Sequence, residues 1–152
     1  MAVVRSQIDV ALPPRLVWDY LTDWPRQSEW IPFTRVEGGE AARSVGGRFR
    51  AWTGIGPVGF WDLLTITGWE ERADGTCRCE VLHTGNVVRG EAEFRVEPRD
   101  GGCTVVWSER IRVPGGPAGA LAWRAAARPV HRVLDRALRR MASRAERLHV
   151  GG

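Results

Sequence analysis

Lysine is absent from the chain: all 22 basic residues are arginine. Replacement that complete reflects the coding bias of a GC-rich genome, so it describes the source and not a site. No stretch approaches the roughly 20 consecutive apolar residues that a membrane-crossing helix needs. Residues 1–12 alternate like a strand and hold no apolar core of signal-peptide length. A cytoplasmic protein with no stable membrane insertion is therefore expected. Cysteine is scarce, and Cys77, Cys79 and Cys103 include no CxxC pair. Cys77 and Cys79 would lie about 6.6 Å apart on one strand face, an awkward span for a disulfide. Reduced, buried thiols are the expectation. Joined with His83, the three thiols lack the paired close spacing of a zinc site, so no metal and no other cofactor is expected. GxSxG, HExxH and P-loop patterns are also missing. Gly54-Ile55-Gly56-Pro57 reads as a turn, and its proline argues against a phosphate cradle.

What is present fits one domain, residues 1–149 with a tail at 150–152, large enough to bury a hydrophobic core. Tyrosine occurs once but tryptophan eight times. Such rings line cavities and also fill cores, and composition alone leaves both open. The net charge of +4 invites a nucleic-acid reading. The excess is local, however. Residues 117–152 hold eight arginines against two acids, whereas residues 1–116 hold fourteen against sixteen.

The order of elements follows from periodicity and punctuation. Residues 3–10 alternate as a first strand. Pro13-Pro14 then opens a helix in which Leu16, Val17, Tyr20 and Leu21 recur at helical spacing. Residues 25–31 read as a second short helix. Candidate strands follow at 34–37, 46–54, 60–70, 76–84, 87–97 and 103–113, divided by turns at Gly38-Gly39, Asp74-Gly75, Gly85-Asn86 and Asp100-Gly101-Gly102 among others. Consecutive strands joined by tight turns make an antiparallel meander. After Pro114-Gly115-Gly116-Pro117 the chain is helical, with a break or kink expected at Pro129. From about 129 to 148, Val130, Leu134, Leu138, Met141, Ala145 and Leu148 form one apolar stripe. Arg132, Arg136, Arg140 and Arg144 step by four on another face. The basic excess is thus mainly the solvated back of an amphipathic helix, and nucleic acid is not the expected partner.

These elements define an α+β helix-grip architecture: a curved, antiparallel, seven-stranded sheet around a long C-terminal helix, with two short helices after the first strand. Where sheet and helix do not pack directly, a ligand cavity can form between them. Val17-Trp18 after the double proline and Glu29-Trp30 before the meander strengthen the pattern. So do Thr53-Gly54-Ile55-Gly56-Pro57-Val58-Gly59-Phe60-Trp61-Asp62, His83-Thr84-Gly85-Asn86-Val87-Val88-Arg89-Gly90 and Trp107-Ser108-Glu109. With them the chain resembles the START-like or SRPBCC superfamily, within a bacterial branch of its polyketide cyclase/dehydrase and lipid-transport group. The resemblance covers nearly the whole sequence. It implies a fold that hosts carriers, lipid binders, cyclases, hydrolases and chaperone activators, so function has to come from the site.

Strand parity sorts the candidates. Val88, Gly90, Ala92, Phe94 and Val96 share the apolar face of one strand, and Cys103, Val105, Trp107, Glu109 and Ile111 that of the next. Cys77, Cys79, Val81 and His83 share a face, as do Asp62, Leu64 and Ile66, and Phe49 and Ala51. Asp62, His83 and Glu109 are then polar groups on an apolar face, too costly to bury unpaired. They would orient a ligand's polar end or, with His83 poised by a carboxylate, serve as acid and base. A bulge near Gly59 or Gly85 would flip this parity. Expected lining residues are Phe49, Ala51, Asp62, Leu64, Ile66, Val81, His83, Val88, Phe94, Trp107, Glu109, Trp123 and Leu134. Trp52 and Trp123 are candidates to flank the mouth, with packing as the alternative. Arg50 shares the parity of Trp52, opposite to Phe49 and Ala51, which weakens a cyclase-type arginine pocket. The expected function is binding of an apolar small molecule, lipid-like or polyketide-like, by a monomer or homodimer. The alternative is a cyclase/dehydratase using His83 with Asp62 or Glu109.

Overall fold

The computed structural model describes residues 1–38 and 42–150. The turn assigned to Gly38-Gly39 and the end of the tail fall partly outside them. Seven strands form one antiparallel sheet in the order β1-β7-β6-β5-β4-β3-β2. They are β1 (Ala2–Val10), β2 (Thr34–Glu37), β3 (Arg48–Ile55), β4 (Val58–Glu71), β5 (Cys77–His83), β6 (Gly90–Arg99) and β7 (Gly102–Ile111). Helix α1 (Pro14–Leu21) and a 3-10 helix (Trp24–Glu29) connect β1 to β2, and α2 (Gly116–Val150) closes the chain. Sheet, grip helix and element order match the helix-grip expectation.

Alternation does the sorting, because a pleated strand turns every second side chain to the same face. On β5 the buried set is Cys77, Cys79, Val81 and His83, and on β6 it is Gly90, Ala92, Phe94 and Val96. Burial pushes the Cys79 thiol up to about 12 and the Cys103 thiol to about 11, so neither supplies thiolate at neutral pH. Among the described residues, the register shift in the sheet lies at neither expected glycine. It is a bulge on β4 between Ile66 and Gly68. Upstream of it Asp62, Leu64 and Ile66 face inward; downstream the register moves to half-buried Trp69 and exposed Glu71, level with Cys79 and Cys77. Trp69 thereby meets Trp18 at 5.1 Å, and Glu71 accepts a 2.9 Å hydrogen bond from the Trp18 indole. A stacked Trp24–Phe49 pair at 4.2 Å completes the aromatic core beneath α1.

Helix α2 corrects the expectation of a break. It runs unbroken from Gly116 to Val150 with Pro129 inside it. Proline costs an interior helix its N–H and crowds the carbonyl four residues back. That residue is Ala125, which is exposed, so water can satisfy the freed carbonyl. Alanine- and arginine-rich turns on both sides carry the helix through. Pro129→Ala should restore the bond and raise stability by about 1–3 kcal/mol, read by urea unfolding. The buried stripe is Leu134, Ala137, Leu138, Met141, Ala142 and Ala145, with Val130 half-buried; Leu148, expected in it, is exposed.

Three polar contacts lay α2 along β1. The Ser6 hydroxyl donates to Asp135, His131 bonds the Arg5 carbonyl at 2.8 Å, and Glu146 accepts the Ala11 N–H at 3.2 Å. Asp135 and Glu146 are the only acids of this arginine-rich helix, and both are spent on the anchor. Arg132, Arg136 and Arg140 face solvent, as the four-residue step implies, whereas Arg144, the fourth of that step, is half-buried.

Candidate functional site

Sheet register brings Asp62, His83 and Glu109 together on the concave face. Leu64 pairs with His83, so Asp62 sits diagonally across from it on the neighbouring strand. Glu109 is two strands away. His83 is level with Gly90 on β6, and Glu109 is level with Ala92. Two strand spacings are roughly 9.5 Å, a gap that His and Glu side chains close only by reaching over the strand between them. Gly90 and Ala92, the smallest side chains available, leave that path clear.

The resulting chain of hydrogen bonds is short and buried. His83 Nδ1 lies 2.8 Å from Asp62 Oδ2 and Nε2 lies 3.0 Å from Glu109 Oε2. The Trp107 indole N–H donates to Glu109 Oε1 at 2.8 Å. Asp62 and His83 are each 8% exposed and Glu109 9%. Burial opposes a charge on the imidazole, but the hydrogen bonds to Asp62 and Glu109 outweigh it and push the His83 pKa up to about 10. Both ring nitrogens then donate, and the imidazolium stands between two carboxylates. Asp62 Oδ1 is buried without a partner, as is the Trp30 indole N–H, whose ring meets Trp107 edge-on at 6.1 Å.

The other expected lining residues divide. Phe49, Leu64, Ile66, Val81, Phe94, Trp107 and Leu134 are buried in the core on the concave side, with Phe94 against Trp107 at 5.2 Å. Ala51 and Trp123 are half-buried against it. Val88 is half-buried in the β5–β6 connection, because β6 begins only at Gly90. Trp52 does not flank a mouth with the cluster. It pairs with Trp61 on the opposite face, one residue out of phase with inward Ala51 and Asp62. Arg50 is on that outer face too, 4.3 Å over the Trp61 ring and paired with Glu37. His131 and His149, both on α2, are exposed. Sequence reasoning missed Trp30 and the Trp107–Glu109 link; the two-residue spacing of Trp107 and Glu109, on one face of one strand, was the available signal. Open hollows among the described residues lie on the convex face around Arg5, Glu80 and Glu93, and along α2 beside Arg136, Arg140 and Arg147.

The model of the polyketide cyclase/dehydrase and lipid-transport family matches residues 1–146. The chain belongs to that family. Solved structures agree on the fold of this cyclase/dehydrase and lipid-transport member. A Thermus thermophilus protein superposes with a TM-score of 0.76 at 16% identity, over 97% of this chain and 99% of the other. An aromatase/cyclase from a Streptomyces species gives 0.66 at 21% identity, over 96% and 94%. A STAR-related lipid transfer protein from Xanthomonas axonopodis gives 0.68 at 17% identity, over 93% and 84%. No protein of curated function matches. Family and fold together support a hydrophobic-ligand role. No helix among the described residues is long and apolar enough to cross a membrane.

Proposed function

We propose that the chain binds an apolar small molecule bearing a hydrogen-bond donor, such as a hydroxyl or phenol, on the concave face between the sheet and α2. The observation that carries this is Asp62 Oδ1, a carboxylate oxygen buried without a partner in an otherwise apolar interior. An orphaned acceptor of this kind costs free energy until a donor meets it. An acceptor oxygen without a donor, in a cluster of two carboxyl groups and one imidazole, favours a neutral donor over a fatty-acid anion or other carboxylate. The orphaned Trp30 N–H offers the same ligand a donor from the opposite polarity. Entry falls to the first half of α2, which is mostly exposed and has little packing to lose in moving aside.

Native mass spectrometry of protein purified from its own host tests this reading. A homogeneous added mass is expected, of a neutral lipid-like or polyketide-like compound with a free hydroxyl, and Asp62→Leu should lose it. A bound fatty-acid anion, or an added mass indifferent to Asp62→Leu, would overturn the assignment. A second reading, cyclase/dehydratase chemistry, draws support from the family description and from the carboxylate contacts of His83. Its required result is turnover of a ketide chain that His83→Ala abolishes while binding survives. Against it, an imidazolium with both nitrogens engaged offers no free base at neutral pH.

A further inference from the structure

The exposed apolar side chains of this protein are not scattered. Four connections meet at one end of the sheet: residues 31–33 before β2, the β3–β4 hairpin, residues 84–89 between β5 and β6, and residues 112–115 leading into α2. The register puts them there, since Thr34 pairs with Thr53, Ile55 with Val58 across the hairpin, and Gly90 with both His83 and Ile111. α2 lies beside Arg5 at His131, so its first turns extend past the same end. The first three hold large apolar side chains in water, Phe33 at 65%, Ile55 at 72% and Val58 at 76%, and Val87 at 63%, and beyond the fourth Leu121 of α2 is 68% exposed. Of the other large apolar residues described, Met1, Val3, Val45 and Val150 exceed 60%, and Met1 and Val3 open β1, whose Ala2 pairs with Ile111 at this same end.

Two further observations give the patch a direction. Phe33 has φ of 57°, the sole non-glycine residue with positive φ among those described. A bulky residue held in the left-handed region is strained, and such strain persists where the surrounding structure enforces it for a purpose. The charge is also one-sided. Residues 31–33, 55–58, 84–89 and 112–124 contain Arg89, Arg112 and Arg124 and no acid. Turns at the opposite end, 72–76 and 100–101, are polar and include Arg72, Asp74 and Asp100.

We infer that this end docks peripherally on a lipid bilayer containing anionic lipids, with Phe33, Ile55, Val58, Val87 and Leu121 entering the interface and the three arginines meeting headgroups. Apolar tips ringed by basic residues match an interfacial contact. A second copy of the chain would set like charges against each other, and a duplex nucleic acid would leave the apolar tips in water. The Asp62–His83–Glu109 cluster ends at this same rim, so docking would put the ligand site next to the phase an apolar ligand partitions into. The inference stands on the rim alone and does not need the ligand reading.

Vesicle flotation decides it. Intact protein should float with vesicles of equal parts phosphatidylcholine and phosphatidylglycerol, less with phosphatidylcholine alone, and less as salt rises. The triple variant Ile55→Ser/Val87→Ser/Leu121→Ser, all at exposed positions, should melt unchanged yet bind about tenfold more weakly or worse. Phe33→Gly should melt higher, because glycine accepts positive φ, while binding vesicles more weakly. Absence of flotation, or a triple variant that floats like the parent, overturns the inference. So does a dimer in light scattering that the triple variant dissolves. Retention of the native ligand mass in that variant separates failure here from failure of the ligand reading.

Discussion

Replacing His83 by alanine should destabilise the fold by about 3–5 kcal/mol, the range for removing one partner from a buried ionic cluster. The side chains of His83, Asp62 and Glu109 are 6%, 11% and 12% exposed, so solvent screens little of the change. Without the imidazolium, two carboxyl groups share an apolar enclosure with no cation and one fewer donor each. Urea unfolding at neutral pH measures the loss. The triple variant His83→Leu/Asp62→Asn/Glu109→Gln should recover much of it, because no buried charge is then left unpaired. A loss below about 1 kcal/mol in His83→Ala would mean that water, not protein, solvates the cluster.

The same group fixes a pH dependence. The folded-state pKa of His83 is raised to about 10 from an ordinary value of 6.5. A raised value means that the folded protein holds the proton more tightly than the unfolded chain does. Its contribution to stability is therefore complete below pH 6.5 and is lost as pH climbs through about 10. The stability difference between the parent and His83→Gln should accordingly shrink from pH 6 to pH 10.

Much of this site is legible in the amino-acid pattern, for a reason that its failures make clear. β4 upstream of its bulge, β5 and β6 alternate, and β7 does so apart from buried Val106, so parity assigns most residues a face; Asp62, His83 and Glu109 emerge as the polar exceptions on apolar faces. Parity does not say which of them touch. Contact depends on register across three ladders and on Gly90 and Ala92 lying beneath the His83–Glu109 bond, a long-range condition no single strand encodes. The bulge at Thr67 is similarly silent, since Thr-Gly inside an apolar strand has no local demand for an extra residue; only the seating of Trp69 against Trp18 and Trp24 rewards it. Pro129 misleads in the other direction. Local sterics argue for a break, but an exposed helix can hand the freed carbonyl to water, and Ser6, Asp135 and Glu146 tie the downstream half to β1.

Gly90 is where fold and site depend on the same missing atoms. Its φ is 142°, a region closed to most side chains, and a Cβ there would lie 2.0 Å from the Arg110 carbonyl oxygen. The obstruction is backbone, so no rotamer change relieves it; β7 has to move away from β6. That movement begins one residue from Glu109 and at the residue level with His83, so it lengthens the bond spanning them. Gly90→Ala should therefore cost about 2–5 kcal/mol, overpacking and backbone strain together. Gly101→Ala is the control: φ is 78° there and nothing lies within 4 Å of the added Cβ, leaving only the strain of about 1–2 kcal/mol. Beyond its larger loss, Gly90→Ala should flatten the dependence of stability on pH between 6 and 10, because a His83 parted from Glu109 gives up part of its raised pKa. A Gly90→Ala protein that is merely as unstable as Gly101→Ala, with the pH dependence intact, would show that β7 yields without disturbing the cluster and that the glycine serves the strand alone.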